Sequence, residues 1–160
     1  MSFVARPLAS EIEQPPAPET VVVNDGFFPD VDPASVRDVA RIPTSITPAR
    51  LRAAILGGIM SAEIDLRQFA ADCRAAGYAK LADVPADQLD GQSVQLIRYQ
   101  RAVALFAKAE LIERHRDFDT TSAGGSQADE LTPSIDELRR DAIHAIRDML
   151  GHLRTGVWLI

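Results

Sequence analysis

Between Thr47-Pro48 and Gly77 apolar residues recur at intervals of three and four: Leu51, Ile55, Ile59, Ala62, Leu66, Phe69, Cys73 and Ala76. That is the period of an α-helix with one buried face. Thr47 supplies an N-cap oxygen, Pro48 fits the first helical position, and Gly77 suits the left-handed residue that stops a helix. About 29 residues at 1.5 Å each make a helix about 43 Å long. A stripe of that length calls for other helices along it. Leu56, Met60 and Ile64 are expected to widen the buried face. Each glycine of Gly57-Gly58 costs the helix about 1 kcal/mol relative to alanine, so the pair predicts a bend or a close helix contact.

The neighbouring segments repeat this logic. Asp32 and Pro33 open a short helix over about 33–41, and Pro43 limits its extension. Ser93 is the expected cap of a helix over about 93–116. Within it Val103, Ala104, Leu105, Phe106 and Ala107 leave no polar side, which predicts a helix surrounded by others. Ser134 and Glu137 form a capping box for a last helix over about 134–153, with the stripe Ile135, Leu138, Ala142, Ile146, Met149 and Leu153. Val84-Pro85 and Asp90-Gly91 mark an irregular connection with a turn. Residues 119–131 are polar and Gly-rich and read as a loop. The fold class is therefore all-α, a bundle of three main helices plus a short N-terminal one. The chain divides into a flexible arm (1–26, with Pro15-Pro16-Ala17-Pro18), one helical domain (27–154) and an apolar tail (155–160).

The side chains argue against catalysis. Cys73 is the only cysteine, which removes intrachain disulfides and multi-cysteine zinc sites, and it lies on an apolar stripe as a small core residue would. His115 stands among Glu113, Asp117 and Asp119, but helix ends gather such charges routinely. Asp141 and His144 make a single i, i+3 pair where a di-iron bundle needs two Glu-x-x-His motifs. No phosphate-cradling glycine loop is present. The reading assigns no catalytic residue, no metal and no cofactor. No apolar run reaches the roughly 18 to 20 residues that cross a bilayer. The net charge of −6 is the wrong sign for a protein that grips phosphates, but suits one that DNA must pass without sticking.

The candidate binding residues are the apolar groups at the ends of the helical region. Phe27 and Phe28 join the arm to the helices, and Val157, Trp158, Leu159 and Ile160 follow the last helix. If exposed, they are candidate partner anchors, with Trp158 as the strongest; the alternative for residues 157–160 is a tail that folds back onto its own core. The arginines are spread over the helices. Most read as solvated, with Glu63–Arg67 and Asp136–Arg140 as i, i+4 pairs, while Arg50, Arg52 and Arg101 are candidate subunit contacts.

Four phrases carry a family resemblance: Phe27-Phe28-Pro29-Asp30, Pro48-Ala49-Arg50-Leu51-Arg52, Leu81-Ala82-Asp83-Val84-Pro85-Ala86-Asp87 with Asp90-Gly91, and Ile135-Asp136-Glu137-Leu138. In order and spacing the chain resembles, from about Phe27 to about Met149, the head completion proteins (gpL type) of contractile-tailed temperate bacteriophages. The resemblance implies a structural virion protein that binds the phage portal protein after DNA packaging and closes the filled head. It also implies a ring of twelve copies on the portal and contact with a neck or tail-terminator protein. Packaged DNA would pass nearby without sequence-specific binding. Location would be the head–tail neck, after assembly in the host cytoplasm. The alternative reading is a helical interaction module or dimeric regulator. A basic recognition surface would favour the regulator, and the sequence lacks one.

Overall fold

A computed structural model describes residues 19–116 and 134–152. Helix α1 (Pro33–Ala40) starts where Asp32 accepts hydrogen bonds from the amides of Ala34 and Ser35 at 3.2 and 3.3 Å. Helix α2 (Pro48–Ala75) is capped by Thr47, whose hydroxyl accepts from the Arg50 amide. It ends in a Schellman turn: Gly77 has φ of +95°, its amide donates to the Arg74 carbonyl, and the Tyr78 amide donates to that of Cys73, each at 3.0 Å.

After a 3-10 turn at Leu81–Asp83 comes a two-residue hairpin, β1 (Gln88–Leu89) paired antiparallel with β2 (Gln92–Ser93). Both residues at its tip have positive φ, Asp90 at 49° and Gly91 at 72°, as a type I′ turn requires. This is the turn the Asp-Gly pair predicts. The hairpin feeds α3 (Val94–Arg116) directly. Ser93 belongs to the strand, and its buried hydroxyl makes no hydrogen bond among the described residues, so the expected side-chain cap is not formed. Helix α4 (Ile135–Met149) opens on the predicted capping box: the Ser134 hydroxyl accepts from the Glu137 amide at 3.2 Å and the Glu137 carboxylate accepts from the Ser134 amide at 2.8 Å. It stops before the expected residue 153 because Gly151 takes φ of +70° and the His152 amide turns back to the Arg147 carbonyl.

Helix α3 is the central element, as its apolar sequence predicts. It packs against α2 on one side and α4 on the other, and α1 also rests on it, while α2 and α4 touch little. Both flanking helices run antiparallel to α3. Gln95 and Arg98 at its start donate to the carbonyls of Met149 and Asp148 at the end of α4, and Glu113 near its end pairs with Arg139 near the start of α4. Across α2, Gly58 lies against the Val103 carbonyl and the Ala107 amide. The glycine pair thus marks a close helix contact, one of the two outcomes it predicts. The core is built from Leu51, Ile55, Leu66, Leu81, Tyr99, Val103 and Ile146, all fully buried.

The stripe on α2 is narrower than expected. Leu51, Ile55, Ile59, Ala62, Leu66 and Cys73 are buried, but Leu56, Met60 and Ile64 face outward, and so does Ala76. One partner helix covers one arc of α2, and the second apolar row lies beyond it. The folded part also reaches upstream of residue 27. Val22 is fully buried and exchanges two backbone hydrogen bonds with Val31, at 2.8 and 2.9 Å. The 119–131 loop, Leu153, and residues 1–18 of the expected arm lie outside the described residues.

Candidate interaction surface

The Val22–Val31 bridge closes a loop that carries both candidate phenylalanines. Asp25 accepts from the amides of Phe27 and Phe28 through Oδ1, at 2.9 and 3.0 Å, and pairs with Arg74 through Oδ2. Burial works to raise the pKa of this carboxyl, but the Phe28 amide, Arg74 and the Phe27 amide together hold it below its ordinary value. The Asx turn aims both rings inward. The Phe28 ring stacks on Tyr99 with centroids 4.6 Å apart, and the Phe27 ring meets Phe28 edge-on at 5.1 Å beneath the Arg74 guanidinium. The Phe27 carbonyl accepts from the Leu81 amide at 2.8 Å. Asn24 completes the loop by donating to the Tyr99 hydroxyl at 2.7 Å, and burial pushes that phenol's pKa far up.

Phe27 and Phe28 are therefore only 2% and 4% exposed. They are an internal plug that fastens the N-terminal loop onto α2 and α3, and the expectation of an exposed anchor is corrected for both. Glu63 borders the same cluster. Burial and the Asp25 carboxylate raise its pKa, against weaker opposition from Asn24 and Arg74, and its Oε1 is buried with no hydrogen bond among the described residues.

The outward row on α2 forms the most distinctive surface. Met60 and Ile64, one turn apart, are 62% and 67% exposed. A groove of about 410 Å³ lies on one side of them, lined also by Gly57, Ser61, Phe106 and Arg139 and edged by the Glu110–Arg114 and Glu113–Arg139 ion pairs. A second, of about 310 Å³, lies on the other side, where Phe28, Glu63, Arg67 and Ala70 contribute. Met60 and Ile64 belong to both, so they form an apolar ridge between two grooves. The sequence signal for it was present: an apolar set on α2 too wide for a single partner helix to cover.

The candidate arginines separate. Arg50 and Arg101 are exposed. Arg52 is engaged within the chain, donating to the Thr20 carbonyl and hydroxyl and to the Val21 carbonyl at 3.1 to 3.3 Å. Arg37 works similarly, joining Glu19 to the carbonyls of Pro43 and Ile46. Arg140 pairs with Asp141 rather than Asp136, and Glu63 faces the loop cluster rather than forming an ion pair with Arg67. Cys73 is buried, and burial followed by the nearby Asp72 charge raises its thiol pKa, as befits a packing residue. Among the described residues no three His, Cys, Asp or Glu side chains converge as metal ligands, and no helix is long and apolar enough to cross a membrane. Val157, Trp158, Leu159 and Ile160 lie outside the described residues, as do Asp117, Asp119 and the side chain of His115.

The family model described as "Phage head completion protein (GPL)" matches residues 22–160, beginning at the residue that closes the N-terminal loop. The chain is 42% identical over 143 residues to the "Head completion/stabilization protein" of Escherichia phage P2, spanning 89% of this chain and 85% of that one. It is 28% identical over 145 residues to the "Probable head completion/stabilization protein" of Haemophilus phage HP1 (strain HP1c1), spanning 89% and 93%. No solved structure matches.

Proposed function

We propose, from the premise that this chain belongs to the phage head completion protein (GPL) family, that it binds the portal vertex once DNA is packaged, closes the filled head and readies it for the neck and tail. The coarser role is that of a structural virion protein and not an enzyme. The observation that carries the proposal is the 42% identity to a head completion/stabilization protein, sustained over 89% of the chain. The surface supports it. A rigid helical body presents an apolar ridge between grooves, the form of a part that docks. A net charge of −6 favours DNA sliding past without adhering.

On this reading the subunits form a ring of twelve on the portal and meet a neck or tail-terminator protein. Exposed Arg50 and Arg101 contribute to contacts between neighbouring subunits. Residues 157–160 anchor the subunit to the portal, with Trp158 as the main contact. The host cytoplasm is the site of assembly, and the neck of the virion is the destination.

Electron microscopy of a lysate in which this gene alone is disrupted tests the reading. Tailless heads that packaged and then lost their DNA are expected. Intact, tailed, infectious particles refute it. A chain ending at residue 156 tests the anchor separately: it should fold normally and bind isolated portal more weakly, and unchanged binding refutes the anchor.

A further inference from the structure

We propose that the face of α3 bearing Arg101 and Lys108, together with Arg41 at the end of α1, receives the Asp87–Gln92 hairpin of a second copy of this chain. The inference rests on the reading of the chain as a ring-forming subunit, and adds which two surfaces of neighbouring copies meet.

Most cations of this acidic chain are engaged within it. Among the described residues five arginines hold carboxylates, and Arg52 and Arg98 hold backbone carbonyls. The side chains of Arg41, Arg101 and Lys108 are joined to no acceptor among those residues. Arg101 and Lys108 lie seven residues apart, so they share a face of α3, about 10 Å apart along its axis. Lys108 is half-buried, and Arg41, the C-cap of α1, stands near enough for its charge to act on it. Burial, followed by the Arg41 charge, holds the pKa of the Lys108 ammonium below its ordinary value. Two neighbouring cations without a counter-ion repel, and a carboxylate placed against both turns that repulsion into attraction. Val39, two residues before Arg41, is 67% exposed and gives the face an apolar edge.

The same chain carries the complementary piece. Every residue from Asp87 to Gln92 is exposed, so the hairpin stands out from the body. Asp87 and Asp90 flank its first strand, and neither carboxylate is paired among the described residues. Leu89 between them is 59% exposed. An apolar side chain between two carboxylates on one copy thus matches an apolar side chain beside cations on another. The two surfaces cannot meet within one subunit. Lys108 lies about 21 Å along α3 from Val94, where the hairpin ends. A contact between different patches of identical subunits is head-to-tail, the kind that generates a ring when its rotation closes. A DNA duplex is the poorer occupant: its phosphates would meet the rest of a chain of net charge −6 along with this face, whereas a projecting hairpin meets the cations alone.

Lys80 and Lys108 are the only lysines, so cross-links at the Lys108 amine are read without ambiguity. A concentrated mixture of unlabelled and isotope-labelled full chain, without portal, is treated with a carbodiimide, which joins an amine to a carboxylate in direct contact. Mixed-isotope cross-links from Lys108 to Asp87 or Asp90 are expected, and they should disappear in salt that screens exposed charges. In sedimentation, Arg101→Glu with Lys108→Glu should weaken self-association several-fold at unchanged circular dichroism. So should Asp87→Lys with Asp90→Asn, since asparagine tolerates the φ of 49° at that position. Mixing the two variants should restore association, because one keeps the hairpin and the other keeps the cations. Cross-links from Lys108 to other carboxylates alone, or none, overturn the proposal. So does association that survives either variant, or a mixture that stays monomeric. Binding of a short DNA duplex at physiological salt that Arg101→Glu with Lys108→Glu abolishes also overturns it, by giving the cations to phosphate. The portal enters none of these assays, so a chain that fails to bind portal removes the head-closing reading and leaves the contact between copies intact.

Discussion

The adjacent glycines of α2 should respond to alanine with opposite signs. A Cβ on Gly57 would fall 1.9 Å from Glu110 Oε2, and one on Gly58 would fall 2.7 Å from the Val103 carbonyl oxygen and 3.2 Å from the Ala107 amide nitrogen. The first obstacle is the end of a flexible side chain, and the second is the backbone of the central helix. Either substitution gains about 1 kcal/mol of helix propensity. For Gly57→Ala the loss is the Glu110–Arg114 ion pair, whose Arg114 end is in solvent, an i, i+4 contact worth about 0.3–0.5 kcal/mol, so the variant should be more stable by about 0.5 kcal/mol. For Gly58→Ala, α2 and α3 must move apart, and overpacking costs about 1–3 kcal/mol. The net should be a loss of about 1 kcal/mol, and the two variants should differ by about 1–2 kcal/mol. Urea unfolding of the two proteins under one buffer reads the difference as a shift in midpoint at constant slope. In a thermal scan it amounts to roughly 2–8 °C for a chain of this size. Equal stability of the two variants, or a more stable Gly58→Ala, would refute the close approach of α2 to α3 at Val103.

Phe28→Ser removes the ring stacked on Tyr99 and should cost about 3–5 kcal/mol, a large part of a typical domain's stability; a variant that melts like the native protein would show that the loop is not plugged. Glu63→Gln should stabilise the protein near neutral pH. The folded-state pKa of Glu63 is raised, so its favourable contribution is full below the unfolded value and is lost as pH rises through the folded one. The advantage of glutamine should therefore shrink as pH falls into the carboxylate range, and an advantage that grows in acid contradicts the assignment. Asp25 has the opposite sign: its lowered pKa contributes stability above the unfolded value that is lost on acidification, so Asp25→Asn should destabilise most at neutral pH. Arg50→Glu with Arg101→Glu reverses two exposed charges and should leave the melting temperature unchanged while weakening ring formation on the portal; unaltered ring formation would remove both residues from the subunit contact.

What the sequence made legible divides along a physical line. Caps and turns are decided within a few residues, and those readings match the structure at Asp32, Thr47, the Ser134–Glu137 box, Gly77 and the Asp90-Gly91 tip, with Ser93 the exception because the hairpin takes it into a strand. The central position of α3 was also legible, because a helix apolar on every side has no surface to give to water. Questions of exposure were less legible, since they depend on how many neighbours a face meets. Phe27-Phe28 follows a proline-rich stretch and reads as a surface patch. Yet Asp25, two residues earlier, folds the loop back and sends both rings against Tyr99, a residue more than seventy positions away in the chain. Met60 and Ile64 failed in the other direction. They share a helix with the buried stripe, and their exposure became visible only once α3 was known to cover a single arc of α2.

Those two reversals carry the functional argument with them. Phe27-Phe28-Pro29-Asp30, one of the four phrases that carry the family resemblance, holds the fold together, so its part in that resemblance needs no partner to explain it. The ridge is built from residues outside the four family phrases, on a helix whose other face is committed to the core. A partner surface of that kind can change its side chains without disturbing the cap, the turn or the plug. On the proposed portal-binding reading, this division leaves the body fixed while the docking surface adapts. It follows that exchanging Met60 and Ile64 for the aligned residues of a relative should change which portal is bound and leave stability nearly unchanged. Phe28→Ser, by contrast, should change stability and leave portal preference alone.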